Sequence, residues 1–353
     1  MNDLTTQFGD FIVSAMKVFD GFLLLFMMLF VFWAIAIYII DVTQTEQTIR
    51  RNYPVIGRFR YFFEHIGEFF RQYFFAMDRE ELPFNRAQRS WVYRASKNVD
   101  STVAFGSTDN IHSSGRVVFV NCTFPTLGED AVPPIDVTVG EACKHPYTTS
   151  SFFNISGMSY GAISKPAVLA LSAGAKDAGC WMNTGEGGLS PYHLEGGGDI
   201  VFQIGTAKNG VRDIDGKLSD DKLAEVASHP EVKMFEIKMS QGAKPGKGGI
   251  LPGGKVSEEI AAIRGIPVGE DALSPNRHVD INSFDDLLDM INRVRDVTGK
   301  PTGFKIVVGK PSHIDDLLAA VNKRGIAFAP DFITVDGAEG GTGAAPMALI
   351  DSV

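Results

Sequence analysis

The strongest constraint on this chain is an uncharged apolar run near its N-terminus. Residues 21–40 read GFLLLFMMLFVFWAIAIYII and contain no charged side chain. A helix of about twenty residues crosses a hydrocarbon layer of about 30 Å. A cleavable signal peptide has a shorter apolar core and a small-residue cleavage site. The run therefore predicts a transmembrane helix, and a buried helix of a soluble protein is the alternative.

The charges that flank this run predict its orientation. Lys17 precedes it, whereas four arginines follow it at positions 50, 51, 58 and 60. Because the more cationic flank stays in the cytoplasm, we expect the N-terminus outside and residues from about 45 onward inside. The chain is then a single-pass protein of the cytoplasmic (inner) membrane, with its catalytic domain in the cytoplasm.

Three segments follow from these patterns: an anchor over residues 1–45, an amphipathic connector over 46–125 and a main domain over 126–353. Residues 50–92 mix aromatic residues with arginines. They either lie on the membrane surface, with rings among the headgroups and arginines on phosphates, or pack as a helical arm on the main domain. The sequence leaves both alternatives open.

Composition excludes several classes of protein. The formal net charge of -9 argues against a general nucleic-acid binder. The three cysteines, Cys122, Cys143 and Cys180, include no CxxC pair. A disulfide framework and a zinc site are therefore not expected, and no residue is assigned to a metal.

After residue 150 the chain alternates between strand and helix patterns. Strands are expected at 152–156, 181–183, 200–205, 234–239, 303–308 and 332–335. Helices are expected at 164–178, 218–228, 256–264, 284–297 and 314–323. This α/β pattern predicts a parallel sheet in a TIM-type (β/α)8 barrel, which needs eight strands. Because about six are found before Val353, we expect the barrel to be incomplete.

Polar residues follow the strand ends, where such barrels place their active sites. NTGEGG puts Asn183 in reach of a cofactor ring edge and Glu186 in reach of a substrate amine; a turn with a solvated acid is the alternative.

In EIKMSQGAKPG, Lys238 alternates with apolar neighbours, so it faces one side of its strand. An interior lysine is costly unless it meets an anion or an electron-rich ring. Lys244, in the loop that follows, suits a carboxylate or phosphate; a surface lysine is the alternative.

The last strand leads into a second glycine-rich loop. DGAEGGTGAAP, at residues 336–346, frees backbone N–H groups that can surround an anion. Neither GxGxxG at a strand–helix turn nor GxxxxGK[ST] occurs, which excludes NAD-type and P-loop sites.

Taken together, these loops resemble the FMN-binding synthase domain of glutamate synthase. The matching strings are GAISK, NTGEGG, IKMSQGAKPGKGGILPG, SPNRHVDI and DGAEGGTGA, in family order across about residues 151 to 346. The front part is similar to short stand-alone members that lack the glutaminase domain, and Asn2 stands where a catalytic cysteine would follow Met1.

The resemblance implies reductive amination of 2-oxoglutarate to L-glutamate through 2-iminoglutarate, with hydride from FMN. It implies that Lys244 and Gln241 bind the 2-oxo acid and that Glu186 lies near the reacting carbon. Implied partners are ammonia or a glutaminase, and an electron-donor protein or reductase. The residues that the resemblance assigns to FMN are Met158, Ser159, Asn183, Gln203, Lys238, Lys305, Asp336, Gly340, Gly341 and Thr342.

Three departures from the family pattern bear on function. The family has an arginine after the third strand that grips a substrate carboxylate, and Lys208 stands there; lysine lacks the bidentate fork. The cysteines of the iron–sulfur cluster expected in a complete member are absent from this chain, as are the last two strands. The alternatives are an FMN oxidoreductase for another 2-oxo acid, 2-hydroxy acid or methylated amine, and an inert barrel serving as a membrane-tethered partner.

We predict that residues 21–40 cross the membrane and that everything after about residue 45 is cytoplasmic, because arginines flank the C-terminal side of the run. A green fluorescent protein fused to the C-terminus should fluoresce, and an alkaline phosphatase fused there should be inactive. Active phosphatase at that position would contradict the orientation.

Overall fold

The computed structural model describes residues 2–100, 102, 106–114, 117–337 and 345–352. The chain forms two compact units, Met1–Asn121 and Cys122–Val353. The predicted division of the front part into an anchor and a connector stays a prediction.

The first unit begins with one long helix, α1, over Asn2–Thr43. Its Ala15–Thr43 portion is long and apolar enough to cross a membrane by length and composition, a test that a signal sequence also passes. This portion is longer than the predicted span of residues 21–40. Its described side chains are nearly all exposed within the unit, as expected of a helix that does not pack into a protein core.

Three shorter helices follow: α2 at Thr48–Asn52, α3 at Gly57–Phe70, which continues as a π-helical turn at Arg71–Phe75, and α4 at Arg86–Ala95. A buried ion pair joins α1 to α3. The Asp41 carboxylate is fully buried and accepts hydrogen bonds from Arg58 Nη2 at 2.7 Å and from Val55 N at 3.0 Å. The start of α3 is therefore fixed against the end of the long helix.

The second unit is built on a parallel sheet. Its strands are β3 (Trp181–Asn183), β4 (Asp199–Ile204), β5 (Val232–Lys238), β8 (Thr302–Ile306) and β9 (Ile333–Val335), in the order β3-β4-β5-β8-β9. Two antiparallel pairs accompany it: β1 (Val137–Val139) with β2 (Tyr147–Thr149), and β6 (Ile250–Leu251) with β7 (Ala272–Leu273). This half-barrel of parallel strands fits an incomplete TIM-type α/β fold.

Five helices of the second unit lie close to their expected positions: α5 (Lys165–Ala178), α7 (Asp220–Ser228), α8 (Glu258–Arg264), α9 (Phe284–Thr298) and α10 (Ser312–Arg324). Two short helices in its described residues, α6 (Pro191–Glu195) and α11 (Met347–Ile350), were not expected. Serine side chains accept a hydrogen bond from the first turn of α6, α7, α8 and α9. Such caps explain why sequence alone sets these helix starts.

One expected strand, at residues 152–156, is wrong. Only Ile155 bridges to the sheet, beside Met182. Phe152 and Phe153 are 74% and 84% exposed, so their side chains do not pack against the core as those of a strand in the sheet would. Beyond Ile155, the hydrogen bond from Met158 N to Asn183 O at 3.3 Å links this segment to β3, but the pairing does not extend into a strand. Within the described part of the chain, the sheet therefore has five strands instead of about six.

Side chains alternate between the two faces of the sheet. On the outer face, Phe202, Phe235 and Phe304 are fully buried in the main core with residues of α7, α9 and α10. On the inner face, Val201 and Met234 pack with Tyr147 of β2 near the amino ends of the strands. The carboxyl ends of the same strands carry polar residues, and the candidate site lies there.

We predict that Phe235→Ala destabilises the second unit by about 3–5 kcal/mol, because truncating a fully buried ring leaves a cavity. Phe153→Ala, at an exposed ring, should change stability by less than about 0.5 kcal/mol. The urea dependence of hydrogen exchange in β4 and β5 measures both. Equal effects of the two substitutions would contradict this description of the core.

Candidate active site

A buried carboxylate lies at the centre of the inner face of the sheet. Glu236 of β5 is 2% exposed. Its Oε1 accepts hydrogen bonds from Asn183 Nδ2 at 2.9 Å and Gln203 Nε2 at 2.6 Å, and its Oε2 accepts one from Thr334 Oγ1. Burying a carboxylate is costly unless its oxygens are hydrogen-bonded. These bonds join four strands and fix the direction of two side-chain amides.

A second polar cluster lies at the carboxyl end of β5. Lys238 Nζ donates to Glu186 Oε2 and to Gln241 Oε1, both at 2.9 Å, and Gln241 Nε2 donates to Glu186 Oε2 at 2.6 Å. Glu186 Oε1 is buried, and no residue that the structure describes hydrogen-bonds to it. Three predicted site residues therefore converge, and they leave one carboxylate oxygen able to accept from a ligand.

Lys244 lies on the loop between β5 and β6 and is only 3% exposed. Burial lowers the pKa of Lys244; the Glu186 carboxylate opposes this shift and the Lys238 ammonium adds to it. Lys244, Glu186 and Gln241 line one cavity of about 110 Å³ with Ser159 and Arg264. A cavity of this size holds several water molecules, so it suits a small organic acid.

Arg264 adds a second cation to this cavity. It is the last residue of α8 and is 7% exposed. Its Nη2 donates to Tyr160 O at 3.3 Å, while its buried Nε has no hydrogen-bond partner among the described residues. Burial lowers the pKa of Arg264, against the opposing effect of Glu186. Arg264 and Lys244 together make the cavity suitable for an anion.

Glycines bring two loops together at the site. Met158 N donates to Asn183 O at 3.3 Å. Gly185 has φ +64°, and a Cβ there would lie 2.8 Å from Ser159 N. Only glycine allows both this conformation and this close approach. The contact places Met158 and Ser159 beside Asn183, as the prediction requires.

Two further predicted residues meet at the neighbouring strands. Lys305 of β8 pairs in register with Lys238 of β5. Lys305 Nζ lies 3.5 Å from Asp336 Oδ2. A Cβ added at Gly242 would lie 2.6 Å from the same carboxylate oxygen. The predicted residues Gly340, Gly341 and Thr342 lie outside the described residues, so their role stays a prediction.

Lys208, which stands where the family pattern has an arginine, does not line the cavity. It is 1% exposed, and its Nζ lies 2.9 Å from Asp280 Oδ1. His278 lies in the same loop as Asp280, and its Nε2 donates to Lys238 O at 3.0 Å. Because a carbonyl oxygen only accepts hydrogen bonds, this contact assigns the proton to Nε2. Burial lowers the pKa of His278, and Lys208 adds to this effect. Lys208 thus holds the loop that contains Asp280 and His278.

Sequence reasoning missed Glu236, Arg264 and His278. Glu236 stands two residues before Lys238 on one strand, so the period-two alternation was a usable signal for it. Arg264 closes a predicted helix, and His278 lies inside a quoted family string. Neither has a local pattern that reveals its burial.

Metal binding receives no support from the described part of the chain. Its residues contain no group of three His, Cys, Asp or Glu side chains that could hold a metal ion. Cys143 Sγ donates to Asp331 Oδ2 at 3.6 Å, and burial raises the pKa of Cys143 to about 11. This thiol is therefore protonated at neutral pH.

Comparison with known proteins identifies the family. A family model described as a conserved region in glutamate synthase matches residues 125–353. The chain belongs to the glutamate synthase family. The matched region contains the whole sheet and every residue of the polar clusters.

Two relatives illustrate how far this likeness extends. The glutamate synthase large subunit-like protein YerD of Bacillus subtilis (strain 168) is 40% identical over 356 residues, which cover 90% of this chain and 67% of the relative. The archaeal-type glutamate synthase [NADPH] of Thermotoga sp. (strain RQ2) is 41% identical over 198 residues. That match covers 56% of this chain and 35% of the relative. The chain thus spans about a third to two thirds of the length of these two relatives.

We predict that Glu236→Gln destabilises the sheet by about 1–3 kcal/mol. The new amide group presents a donor to side chains that already donate, and a buried donor without an acceptor costs about that much. Glu225→Gln, on an exposed position of α7, is the matched control and should be near neutral. Hydrogen exchange at β3, β4 and β9 measures both. Equal exchange in the two variants would show that the network does not join the strands.

Proposed function

We propose that the second unit binds FMN and a 2-oxo acid and catalyses the synthase reaction of glutamate synthase. Ammonia condenses with 2-oxoglutarate to give 2-iminoglutarate and water, and the imine then takes up a hydride and a proton to give L-glutamate. Because the chain spans only part of its relatives, the source of ammonia, a free pool or a glutaminase, is part of the proposal.

The observation that carries this proposal is the pairing of two buried cations, Lys244 and Arg264, in one small cavity with Glu186. Burying a cation is unfavourable unless an anion or a set of acceptors compensates it. A dicarboxylate offers two anionic groups to these two side chains. The arrangement therefore suits a 2-oxo dicarboxylic acid better than a neutral substrate.

The remaining residues of the cavity have distinct roles in this proposal. The buried Oε1 of Glu186 accepts the N–H of the imine and orients the reacting carbon. Gln241 keeps Glu186 in place through the 2.6 Å hydrogen bond from its Nε2. Lys238 donates to both and holds them at the end of β5.

The donor set at the strand ends fits FMN. The edge of a flavin ring presents carbonyl oxygens and ring nitrogens, and the ring becomes more negative when reduced. Lys238 and Lys305 are neighbouring cations on β5 and β8, and Asn183 and Gln203 are oriented by Glu236. Met158, Ser159 and Asp336 complete the described part of the proposed FMN site. When bound, FMN supplies the hydride, and an electron-donor protein or reductase returns two electrons to it.

Lys208 favours a second candidate substrate. Since its ammonium group is engaged by Asp280, it does not supply the carboxylate grip that the family places there. Another 2-oxo acid with a different distal group is the alternative substrate, and a panel of 2-oxo acids tested with the same enzyme separates the two.

We also propose that α1 crosses the cytoplasmic membrane with its N-terminus outside and that the second unit is cytoplasmic. The length and composition of Ala15–Thr43 support this. The cationic flank after the helix supports the orientation.

We predict that Lys244→Ala weakens 2-oxoglutarate binding about 10- to 150-fold and abolishes turnover, whereas FMN content is unchanged. The loss corresponds to a charge-assisted hydrogen bond of about 1.5–3 kcal/mol. Lys247→Ala, at an exposed lysine of the same loop, is the control. Isothermal titration calorimetry and the flavin absorption spectrum give the two readouts. Comparable activity of Lys244→Ala and wild type would refute the assignment.

The same lysine predicts a pH dependence. Burial lowers the pKa of Lys244 below its ordinary value of 10.5, so the neutral amine forms at a lower pH than in an ordinary lysine. Dicarboxylate affinity should therefore fall as pH rises through this lowered pKa, and it should be full below it. Lys244→Arg keeps its charge and should lose this alkaline decline; a decline that persists in the arginine variant assigns it to another group.

A further inference from the structure

Helix α3 of the first unit carries an apolar face that no described residue of that unit covers. We call this face the aromatic stripe. It consists of Phe59, Phe62, Phe63, Ile66, Phe69 and Phe70. At 3.6 residues per turn these positions fall within an arc of about 120°. The five phenylalanine rings are between 43% and 64% exposed. Tyr73, Phe74 and Phe75 continue the exposed aromatic surface through the π-helical turn.

The opposite face of α3 is charged. Arg60 and Glu64 form an ion pair at 2.9 Å on this face, which also carries His65 and Glu68. From residue 50 to residue 71 there are five arginines and two glutamates. The helix is therefore amphipathic, and its surroundings are cationic. This combination is typical of helices that lie in a membrane interface.

The position of α3 in the unit indicates what covers the stripe. Asp41 stands directly after the apolar run that ends at Ile40. Its buried carboxylate binds Arg58, in the first turn of α3. A Cβ at Gly57 would lie 3.0 Å from Ile49 O, so α3 also starts in close contact with α2. If α1 crosses a bilayer, these contacts hold the start of α3 at the bilayer boundary.

We propose that the aromatic stripe lies in the headgroup region of the bilayer that α1 crosses. This inference rests on the proposed membrane span. The phenylalanine rings enter the acyl boundary, and the arginines of residues 50–71 other than Arg58, which binds Asp41, contact the phosphates of anionic phospholipids. A bilayer is favoured over a second copy of the chain or a partner protein because it is the apolar phase nearest to a helix start fixed beside Asp41.

The test places a nitroxide at single cysteines of the full chain, with Cys122, Cys143 and Cys180 changed to serine. Stripe positions Phe63→Cys and Phe70→Cys are compared with Glu64→Cys and Glu68→Cys on the charged face. The protein is reconstituted into vesicles of three parts phosphatidylcholine and one part phosphatidylglycerol. Electron paramagnetic resonance then measures collision with oxygen, which concentrates in lipid, and with a water-soluble nickel chelate.

The expected result is an alternation along the helix. Labels at 63 and 70 should collide several-fold more with oxygen relative to nickel than labels at 64 and 68. A label at Phe30→Cys in α1 reports the membrane span separately. If the Phe30 label is in lipid but the stripe labels are water-exposed, or shielded from both reagents by protein, the inference is overturned and the span stands. If the Phe30 label is not in lipid, both are overturned.

A measurement on the unmodified chain covers the case in which a labelled variant does not fold. Hydroxyl-radical footprinting in lipid nanodiscs should leave Phe63 and Phe70 protected and should modify His65 on the charged face. Raising the salt concentration weakens the attraction between the arginines and the lipid phosphates. The rings of the aromatic stripe should nevertheless stay protected, because their burial in lipid does not depend on charge. Modification of the stripe rings at the rate of His65 would overturn the proposal.

Discussion

The second unit depends on the neutralisation of two opposite charges on the inner face of β5. Glu236 and Lys238 point to the same side because strand side chains alternate. Glu236 is compensated by donors from three other strands of the sheet, and Lys238 by Glu186 and Gln241 from the loops at the carboxyl ends of the strands. Burying either group alone would be strongly unfavourable. The two sets of bonds therefore couple the order of the strands to the arrangement of the loops.

This coupling explains how an irregular, glycine-rich set of loops forms a definite cavity. Glu186 Oε2 accepts a hydrogen bond from Lys238, whereas the buried Oε1 has no hydrogen-bond partner among the described residues. Burial lowers the pKa of both Lys244 and Arg264, and the Glu186 carboxylate opposes the shift at each of them. In the proposed function, an anion bound between the two cations offsets part of the free-energy cost of burying them.

The sequence predicted much of this fold because its signals were local. The strand at Trp181–Asn183 and the helix at Lys165–Ala178 lie where the alternating strand and helix patterns of the sequence place them. The prediction of a strand at 152–156 was wrong because Phe152 and Phe153 are exposed. The spacing of apolar residues in the sequence does not show whether their side chains are buried. The grouping of Glu186, Lys238 and Gln241 followed from family strings. Glu236 and Arg264 acquire their roles from partners far along the chain, such as Thr334 and Tyr160, and no local pattern encodes these contacts.

The ion pair between Lys208 and Asp280 shows why one motif position is a weak guide to substrate. A lysine in place of a family arginine suggests a weaker grip on a carboxylate. In the folded chain that lysine is turned toward Asp280, and Arg264 supplies the guanidinium of the cavity from a different element. Arginine retains its charge under burial more readily than lysine, because its ordinary pKa is higher. In the proposed function, the cavity therefore offers a dianion the guanidinium of Arg264 and the ammonium of Lys244, whose pKa is lowered by burial.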